Sequence, residues 1–590
     1  MKILGINDGH GCSVAVMEEG QIKSVYEEER FTRLKMDSGF PKLSLQAVLD
    51  DHPIESFDYI ALAGKMIHYR LLLTKRYPLF SIKDFLYENE VFWKPYGVNK
   101  EDINYAEVMK DYIKPGICGY DLEVTDRIIT QSELRTIRKD QISEFLNADK
   151  DKIIFIDHHS CHAHHAYFSS PLRGEDVLVI TMDGSGDGVN ATASIINQEG
   201  NIKELYRTSK CNLARVYQYT TQLLGMKPME HEYKVMGLAA YTKEKYIEEP
   251  LKIFKEMYYV DGLEFKCDQD IQNHYEYLKE RLEGYRFDSI AGALQRYVED
   301  LVIEWVLNWL EHTNTNKVVF SGGVALNIKL SKKIAELDEV EDMFVCLGGG
   351  DESLCIGAAQ NLHIEKTKEN NLQPIGSAYL GSGYSKGDIE IAINHPIIKN
   401  GFEVTRDVNY SEVAKILASG DVVALIQKGM EFGPRALGHR SLIADPSNKD
   451  VVQKINETIK NRDFWMPFTP SILDERMDDY IINPKNLQAP YMTMAFDSTD
   501  LAKTELIAAI HPYDLTVRPQ RVKKEVEESY HQLISAFEAI TGIGAVLNTS
   551  LNIHGKPIVR TPEQFIEEVL TVPGVNLNHI LIDKILLSRK

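Results

Sequence analysis

Residues 2–29 read KILGINDGHGCSVAVMEEGQIKSVYEEE, and residues 177–197 read VLVITMDGSGDGVNATASIIN. In both, a short apolar run stops at a turn rich in Asp and Gly, and a second apolar run follows. Runs of this length bounded by turn residues mark strands, and the EEG at 18–20 marks a hairpin before a third strand over 21–29. One pattern used twice predicts a duplicated domain whose Asp/Gly turns face one ligand. Between 290 and 362 the pattern becomes alternating helix and strand. AGALQRYVEDLVIEWVLNWLEH (291–312) has helical apolar spacing, KVVFSGG (317–323) is a strand ending in a glycine turn, and VALNIKLSKKIAEL (324–337) is the next helix. DMFVCLGGGDESLCIGAAQNLH (342–363) repeats strand, turn and helix. Such alternation predicts a layered α/β domain with ligands at the strand C-termini. The polar stretch after it is read as a linker over 366–400. A first domain then spans 1–365, and a second α/β domain spans 401–590.

Composition narrows the class. The 590 residues hold 66 basic and 87 acidic side chains, a net charge of −21, and 44% hydrophobic residues. The densest basic stretch, RVKKEVEE at 521–528, is cancelled by its own acids, so nucleic acid is a poor partner. No apolar run reaches the roughly 18–20 residues that cross a bilayer, and the apolar start is too short for a secretory signal. Seven cysteines without a CxxC pair exclude a disulfide framework and a thiolate zinc site. The expectation is a cytoplasmic protein with no membrane partner; a homodimer is possible.

The histidine cluster IDHHSCHAHHAYF (156–168) holds five of the 18 histidines. On a helix, His158, His162 and His165 share one face, and an i, i+4 imidazole pair suits a divalent metal. A hydrogen-bonded histidine turn is the plainer alternative. Asp351 follows three glycines at the start of a helix, where it is either a hard oxygen ligand or an ordinary N-cap. Asp183, Gly184 and Gly186 make another Asp/Gly turn, and Gly322, Gly323 and Asn327 lie in SGGVALN; together these turns point to a nucleotide. In the C-terminal half, Arg435, Arg440 and Arg518 sit beside Pro or Gly rather than in surface charge runs. Forked guanidiniums near turns hold phosphate or carboxylate groups, although any single one more often pairs with a structural carboxylate. Asn548, Thr549, Ser550 and Asn552 add small polar groups.

EEERFTRLK (27–35), EFGPRALGHRS (431–441) and LNTSLNIHGKPIVRTP (547–562) carry a resemblance over nearly the whole chain. The sequence resembles the O-carbamoyltransferases of nodulation-factor and antibiotic tailoring, the NodU, cephamycin and tobramycin carbamoyltransferase group. The resemblance implies an N-terminal domain of the actin/sugar-kinase/Hsp70 fold, similar to the tRNA threonylcarbamoyl-transfer subunit. It implies a C-terminal YrdC-like α/β domain that makes carbamoyl-AMP from carbamoyl phosphate and ATP with Mg2+. The first domain then passes the carbamoyl group to a hydroxyl of a sugar, nucleoside or natural-product acceptor. By the same resemblance His158, His162 and Asp351 hold the metal, iron(II) first, with manganese or zinc as alternatives. His10, Lys35, Arg435 and Arg518 take catalytic places. Asp183, Gly184, Glu232, Lys234, Gly322, Gly323, Asn327, Glu431, Arg440, Lys460, Arg462, Asn548, Ser550 and Asn552 contact substrate or nucleotide. Two departures stand out. His10–Gly11–Cys12–Ser13 replaces the usual HDAS, and Met466 in RDFWMPFTP stands where an arginine is expected, with Arg521 or Lys460 as substitutes. Rival readings are threonylcarbamoyl transfer to tRNA, a sugar-kinase-like phosphotransferase, or a non-catalytic nucleotide-binding homologue.

Overall fold

The computed structural model describes residues 1–68, 72, 77–114, 116, 119–120, 130–460 and 462–590. The chain divides into two compact units, residues 1–23 with 27–374 and residues 24–26 with 375–590.

Unit 1 contains one sheet plan twice. β1 (Lys2–Asn7), β2 (Ser13–Glu18), β3 (Gln21–Glu27), β4 (Tyr59–Ala63) and β5 (Ile153–Ile156) lie in the order β3-β2-β1-β4-β5. β2 runs antiparallel to β1, and β4 and β5 run parallel to it. β6 (Val177–Gly186), β7 (Val189–Ile196) and β8 (Ile202–Thr208) repeat the first three strands. After a small hairpin of β9 (Tyr259–Asp261) and β10 (Glu264–Lys266), β11 (Lys317–Ser321) and β12 (Asp342–Val345) complete the order β8-β7-β6-β11-β12. Parallel inner strands covered on both faces must be apolar; β11 is buried from Val318 onward. β8 lies at one edge of the second sheet, and its sequence IKELYRT leaves Lys203, Glu204 and Arg207 in water, as an edge strand tolerates.

Two helices between the sheets carry the chemistry. His158–Phe168 follows β5, and Leu354–Thr367 follows β12. They approach so closely that a Cβ on Gly357 would stand 1.9 Å from the Cys161 carbonyl oxygen, so only glycine fits. The turn between β1 and β2 is fixed from beneath. Asp8 is fully buried, its Oδ1 and Oδ2 accept from Arg138 Nη2 (2.6 Å) and Nε (2.7 Å), and Tyr120 donates to it as well. Arg138, on helix Gln131–Leu146, also donates to the carbonyls of Ala63 and Gly64.

Unit 2 is built on β13 (Phe402–Thr405), β14 (Val423–Ile426), β15 (Arg440–Ala444), β16 (Thr469–Leu473), β17 (Ile481–Ile482), β18 (Asp497–Ser498), β19 (Gln520–Val522), β20 (Ala545–Ser550), β21 (His579–Ile582) and β22 (Ile585–Arg589). Eight of them form a mixed sheet in the order β13-β22-β21-β14-β15-β20-β16-β19; β17 and β18 pair separately. Part of the stretch read as a linker belongs to this unit. Helices Lys386–Ile393 and Pro396–Gly401 lie in it, and Tyr384, Ile389, Ala392, Ile393 and Ile398 join the core of the large sheet. The apolar run at 389–398 comes at the end of a long polar stretch, and packing against the sheet buries Ile389, Ala392, Ile393 and Ile398. Among the described residues, no helix is long and apolar enough to cross a membrane.

Removing Arg138 leaves the Asp8 charge buried and uncompensated, which costs about 3–5 kcal/mol. Arg138→Met is expected to lower unfolding stability by that amount in a urea titration; a change under 1 kcal/mol would show that the pair does not hold the turn.

Candidate metal centre and anion cluster

Four side chains from three parts of unit 1 converge. His158 and His162 come one helical turn apart, Asp183 from β6, and Asp351 from the short turn that precedes helix Leu354–Thr367. One ligand atom from each lies within 4.8 Å of the others. Asp183 Oδ2 stands 3.3 Å from His158 Nε2 and 3.1 Å from His162 Nε2; Asp351 Oδ1 stands 3.6 and 3.4 Å from the same nitrogens. Donors about 2.0–2.2 Å from one ion are separated by roughly this much. Asp351 Oδ1 is buried without a hydrogen-bond partner, a costly state that a cation relieves. The residues therefore fit a divalent metal. Asp351 does not serve as the N-cap of its helix; Ser353 holds that position. Sequence reading grouped Asp183 with the nucleotide contacts, whereas its carboxylate faces both imidazoles.

The electrostatics follow from four ionisable groups sharing one buried place. Burial alone would pull His158 down, but the carboxylates of Asp351 and Asp183 outweigh it and hold the imidazole above its ordinary value. Against its own burial, Asp183 is held well below the carboxylate range by hydrogen bonds to His158 and His162. Burial, then repulsion from Asp183, pushes Asp351 well up. Behind the cluster His162 Nδ1 shares a hydrogen bond with Ser321 Oγ (3.2 Å), which donates to the Gly349 carbonyl, so an Nε2 that ligated a cation would leave the ring proton on Nδ1. Gly186 makes room for His158, because a Cβ there would meet the ring at 2.0 Å.

The other three histidines of the cluster are structural. His159 bonds Thr181 Oγ1 and the Val189 carbonyl, His164 the Ser160 carbonyl, and His165 the Leu347 carbonyl and Ser169 Oγ. Burial drops His159 to about 3 and His164 and His165 to about 4, so all three are neutral. His165 shares the helix face of His158 and His162 in sequence spacing but not the metal cluster.

Residues that sequence reasoning missed hold the centre in place. Asp187 accepts from the backbone N–H of His158 (2.8 Å), Lys65 and Met66. Asp157 caps the histidine helix through Ser160 N and is gripped by both Nη atoms of Arg207 at 2.9 Å. Asn7 Nδ2 reaches the carbonyls of His10 and Asp351, joining the β1–β2 turn to the ligand loop. Asp187 and Asn7 lie in the two Asp/Gly turns, the one signal that pointed to them.

The other candidates of unit 1 divide. His10 lies beside this centre; burial, with Arg215 and against the pull of Asp183, holds it below its ordinary value and neutral. Lys35 Nζ stands 3.9 Å from Glu230 and 5.6 Å from the Tyr233 ring. Glu232 accepts from Met229 N, and burial pushes its carboxyl up to about 7. Lys234 is buried on the same helix. Gly184 borders Asp183, Gly322 N donates to the Gly349 carbonyl, and Gly323 opens the following turn. Asn327 is committed elsewhere: it caps helix Ile328–Ala335 through Leu330 N and bonds Gln295.

In unit 2 the arginines separate by environment. Arg518 is a half-buried cation pulled well below the usual guanidinium range, first by desolvation and then by Arg435 and Arg462 beside it. Its Nε has no partner. Arg462 reaches Thr549 Oγ1 at 2.9 Å and lies over Phe468. Arg440, predicted to hold ligand, is instead structural: fully buried, it donates to the carbonyls of Arg560, Gln427, Gly429 and His439. Glu431 likewise accepts the backbone N–H groups of Leu437, His439 and Arg440, and Asn548 bonds the Ala436 carbonyl and Ser471. Lys460 bonds Ser550 and Asn552. Arg521 is paired with Asp474 at 2.8 Å and bonds Gln488, so it does not stand in for an arginine at Met466.

The family model described as Carbamoyltransferase N-terminus matches residues 2–360, and that described as Carbamoyltransferase C-terminus matches 414–589. An uncharacterized protein of Methanocaldococcus jannaschii is 30% identical, with 99% of this chain and 100% of that one covered. Nodulation protein NolNO of Sinorhizobium fredii is 26% identical over 98% of this chain and 79% of its own. Among solved structures, HypF in its phosphate- and nucleotide-bound form is 14% identical, with 41% of this chain and 43% of that one covered at a TM-score of 0.25, a likeness that carries no argument. The two matched regions make the chain a group-transfer enzyme. It belongs to the carbamoyltransferase family, and its activity is carbamoyl transfer.

Two outcomes test the centre. His162→Ala and Asp351→Asn are expected to reduce bound divalent metal at least tenfold by elemental analysis, whereas His165→Ala keeps the metal and loses thermal stability. The neutral histidines also set a pH dependence with a definite sign. Below about pH 6.5 the unfolded chain takes up protons that folded His159, His164 and His165 refuse, so metal-free stability falls as pH drops from 6.5 toward 4. Each contributes about 1.4 kcal/mol per pH unit; urea midpoints that do not fall over that range would contradict their neutral state.

Proposed function

We propose that the chain is an ATP-dependent O-carbamoyltransferase working through carbamoyl-AMP. The observation that carries this reading is Arg518, a half-buried cation with a buried, unpartnered Nε whose neighbours in charge are two further guanidiniums, Arg435 and Arg462. Such a group is stable when an anion neutralises it, and phosphate suits forked donors. With Arg521 committed to Asp474, recognition of carbamoyl phosphate falls to these three despite Met466. Water releases phosphate from carbamoyl phosphate to give carbamate. A carbamate oxygen attacks the α-phosphorus of ATP, held with Mg2+, and pyrophosphate leaves. The product is a mixed anhydride with AMP as a good leaving group.

In the second step the oxygen of an acceptor hydroxyl bonds to the carbamoyl carbon, the bond to the AMP oxygen breaks, and AMP departs with the electron pair. His10, half-buried and held below its ordinary value chiefly by desolvation, accepts the hydroxyl proton. His158, His162, Asp183 and Asp351 would hold a divalent cation, iron(II) in the first place, which supplies Lewis acidity toward a carbonyl when bound. The twice-used sheet order of unit 1 supports the actin/sugar-kinase/Hsp70 plan, and unit 2 is read as YrdC-like. The acceptor is a hydroxyl-bearing small molecule such as a sugar, nucleoside or natural product. One molecule makes and consumes the labile anhydride, which limits its loss to water.

The test omits the acceptor. Protein with ATP, Mg2+ and carbamoyl phosphate is expected to yield carbamoyl-AMP and pyrophosphate by mass spectrometry, and Arg518→Ala is expected to lower both at least a hundredfold. His10→Ala should leave this half-reaction intact while slowing transfer by roughly 10²–10⁴. Absence of carbamoyl-AMP from protein shown to bind ATP would sink the adenylate route.

A further inference from the structure

Arg30, Arg138 and Arg207 of unit 1 each fork onto carboxylates. Arg215 does not. It sits in the first turn of helix Leu213–Leu223, and its Nη1 donates to the neutral Gln218 Oε1 at 2.6 Å. Among the described residues, no carboxylate lies within ion-pair distance of it. Its guanidinium lies against bare backbone: a Cβ on Gly184 would stand 3.7 Å from Arg215 Nε and 3.9 Å from Cζ. Gly184 directly follows Asp183, so an unneutralised cation borders the His158/His162/Asp183/Asp351 cluster. The same charge reaches His10 and His274, both of which it helps to hold down. Asn212 gives the first helical turn no side-chain acceptor, so the positive end of the helix reinforces the guanidinium.

A forked cation beside a proton acceptor and a carboxylate–imidazole cluster suits an anion that gains charge during reaction. Resting on the adenylate reading above, we propose that Arg215 holds the phosphate of the nucleoside monophosphate leaving group at the transfer centre. As the acceptor oxygen bonds to the carbamoyl carbon, the carbon–oxygen bond to phosphate breaks. The electron pair goes to that phosphate oxygen, and the hydroxyl proton goes to His10. The phosphate thus leaves with one more negative charge than it had in the anhydride. Arg215 stabilises that charge more than the charge of the bound anhydride, so it lowers the barrier to transfer.

The experiment uses the full metal-loaded chain carrying Arg518→Ala, which silences the anion cluster of unit 2. AMP is titrated by calorimetry into this parent and into versions with Arg215→Ala or Arg215→Lys. The expected result is AMP binding at least tenfold weaker with Ala and partly restored with Lys, at unchanged metal content and melting temperature. A merely structural arginine would move the melting temperature or metal content instead. In otherwise wild-type protein, Arg215→Ala should slow transfer while acceptor-free pyrophosphate release is kept. AMP affinity unchanged by Arg215→Ala, when the otherwise wild-type chain makes carbamoyl-AMP, overturns the assignment and leaves the adenylate reading standing. Weakened AMP binding, when the otherwise wild-type chain makes no carbamoyl-AMP, supports the phosphate site and overturns the adenylate reading instead.

Discussion

The metal cluster depends on two helices meeting with no side chain between them. Gly357 lets helix Leu354–Thr367 lie on the Cys161 carbonyl, which fixes the segment carrying Asp351 against the turn carrying His158 and His162. Any Cβ at that crossing must push the helices apart, and a small displacement matters where atoms stand 3.1–3.6 Å apart. The remaining devices serve the same end. Asp157 and Asp187 fix the start of the histidine helix, Ser321 fixes a ring, and Asn7 fixes the ligand loop. Two buried carboxylates facing each other repel; the division into a strongly ionised Asp183 and a reluctant Asp351 expresses that repulsion. A divalent cation removes the conflict, which is the physical reason for such a cluster to exist.

Much of this was legible in the amino-acid sequence because local chemistry wrote it there. The first Asp/Gly turn follows β1, whereas β6 runs on through Asp183, Gly184 and Gly186, read from sequence as a turn, and reverses only at Asp187–Gly188; the repeated hairpin reflects a sheet plan used twice. The i, i+4 spacing picked out His158 and His162. What spacing could not convey was which polar groups are consumed by the fold. His165 lies on the same helical stripe, yet a backbone carbonyl 182 residues away claims it. Asp183 looked like a phosphate-turn residue because its neighbours are glycines; of these, Gly186 is the one that makes room for His158. Tertiary partners of this kind leave no periodicity, and the apolar residues at 384–398 were hidden in the same way.

Unit 2 illustrates the same distinction among like charges. Arg440 and Arg518 both sit beside turn residues, but one is surrounded by carbonyl oxygens and the other by guanidiniums. The first ties Arg440 Nε and Nη1 to four backbone carbonyls of the loops around it, leaving Nη2 without a partner. The second sets like charges side by side, which an anion would neutralise. A motif therefore mixes residues that build the frame with residues that await a substrate, and only their surroundings separate them. Glu431 Oε1 and Asn548 Nδ2 are tied to backbone groups of the 436–440 turn, while Glu431 Oε2 and Asn548 Oδ1 stay buried without a partner.

The ligands of the cluster come from distant parts of the chain. His158 and Asp351 are separated by roughly 190 residues, and the entropy of closing such a loop grows with its length and must be met before the contact gives any return. Neither half of the duplicated unit holds the full set: the two imidazoles follow β5 of the first sheet, whereas both carboxylates come from the second. The four-residue donor set is thus assembled only after the halves have docked. A nascent chain that has emerged only through its first sheet presents a histidine pair without carboxylates, and it acquires the remaining ligands only as synthesis proceeds.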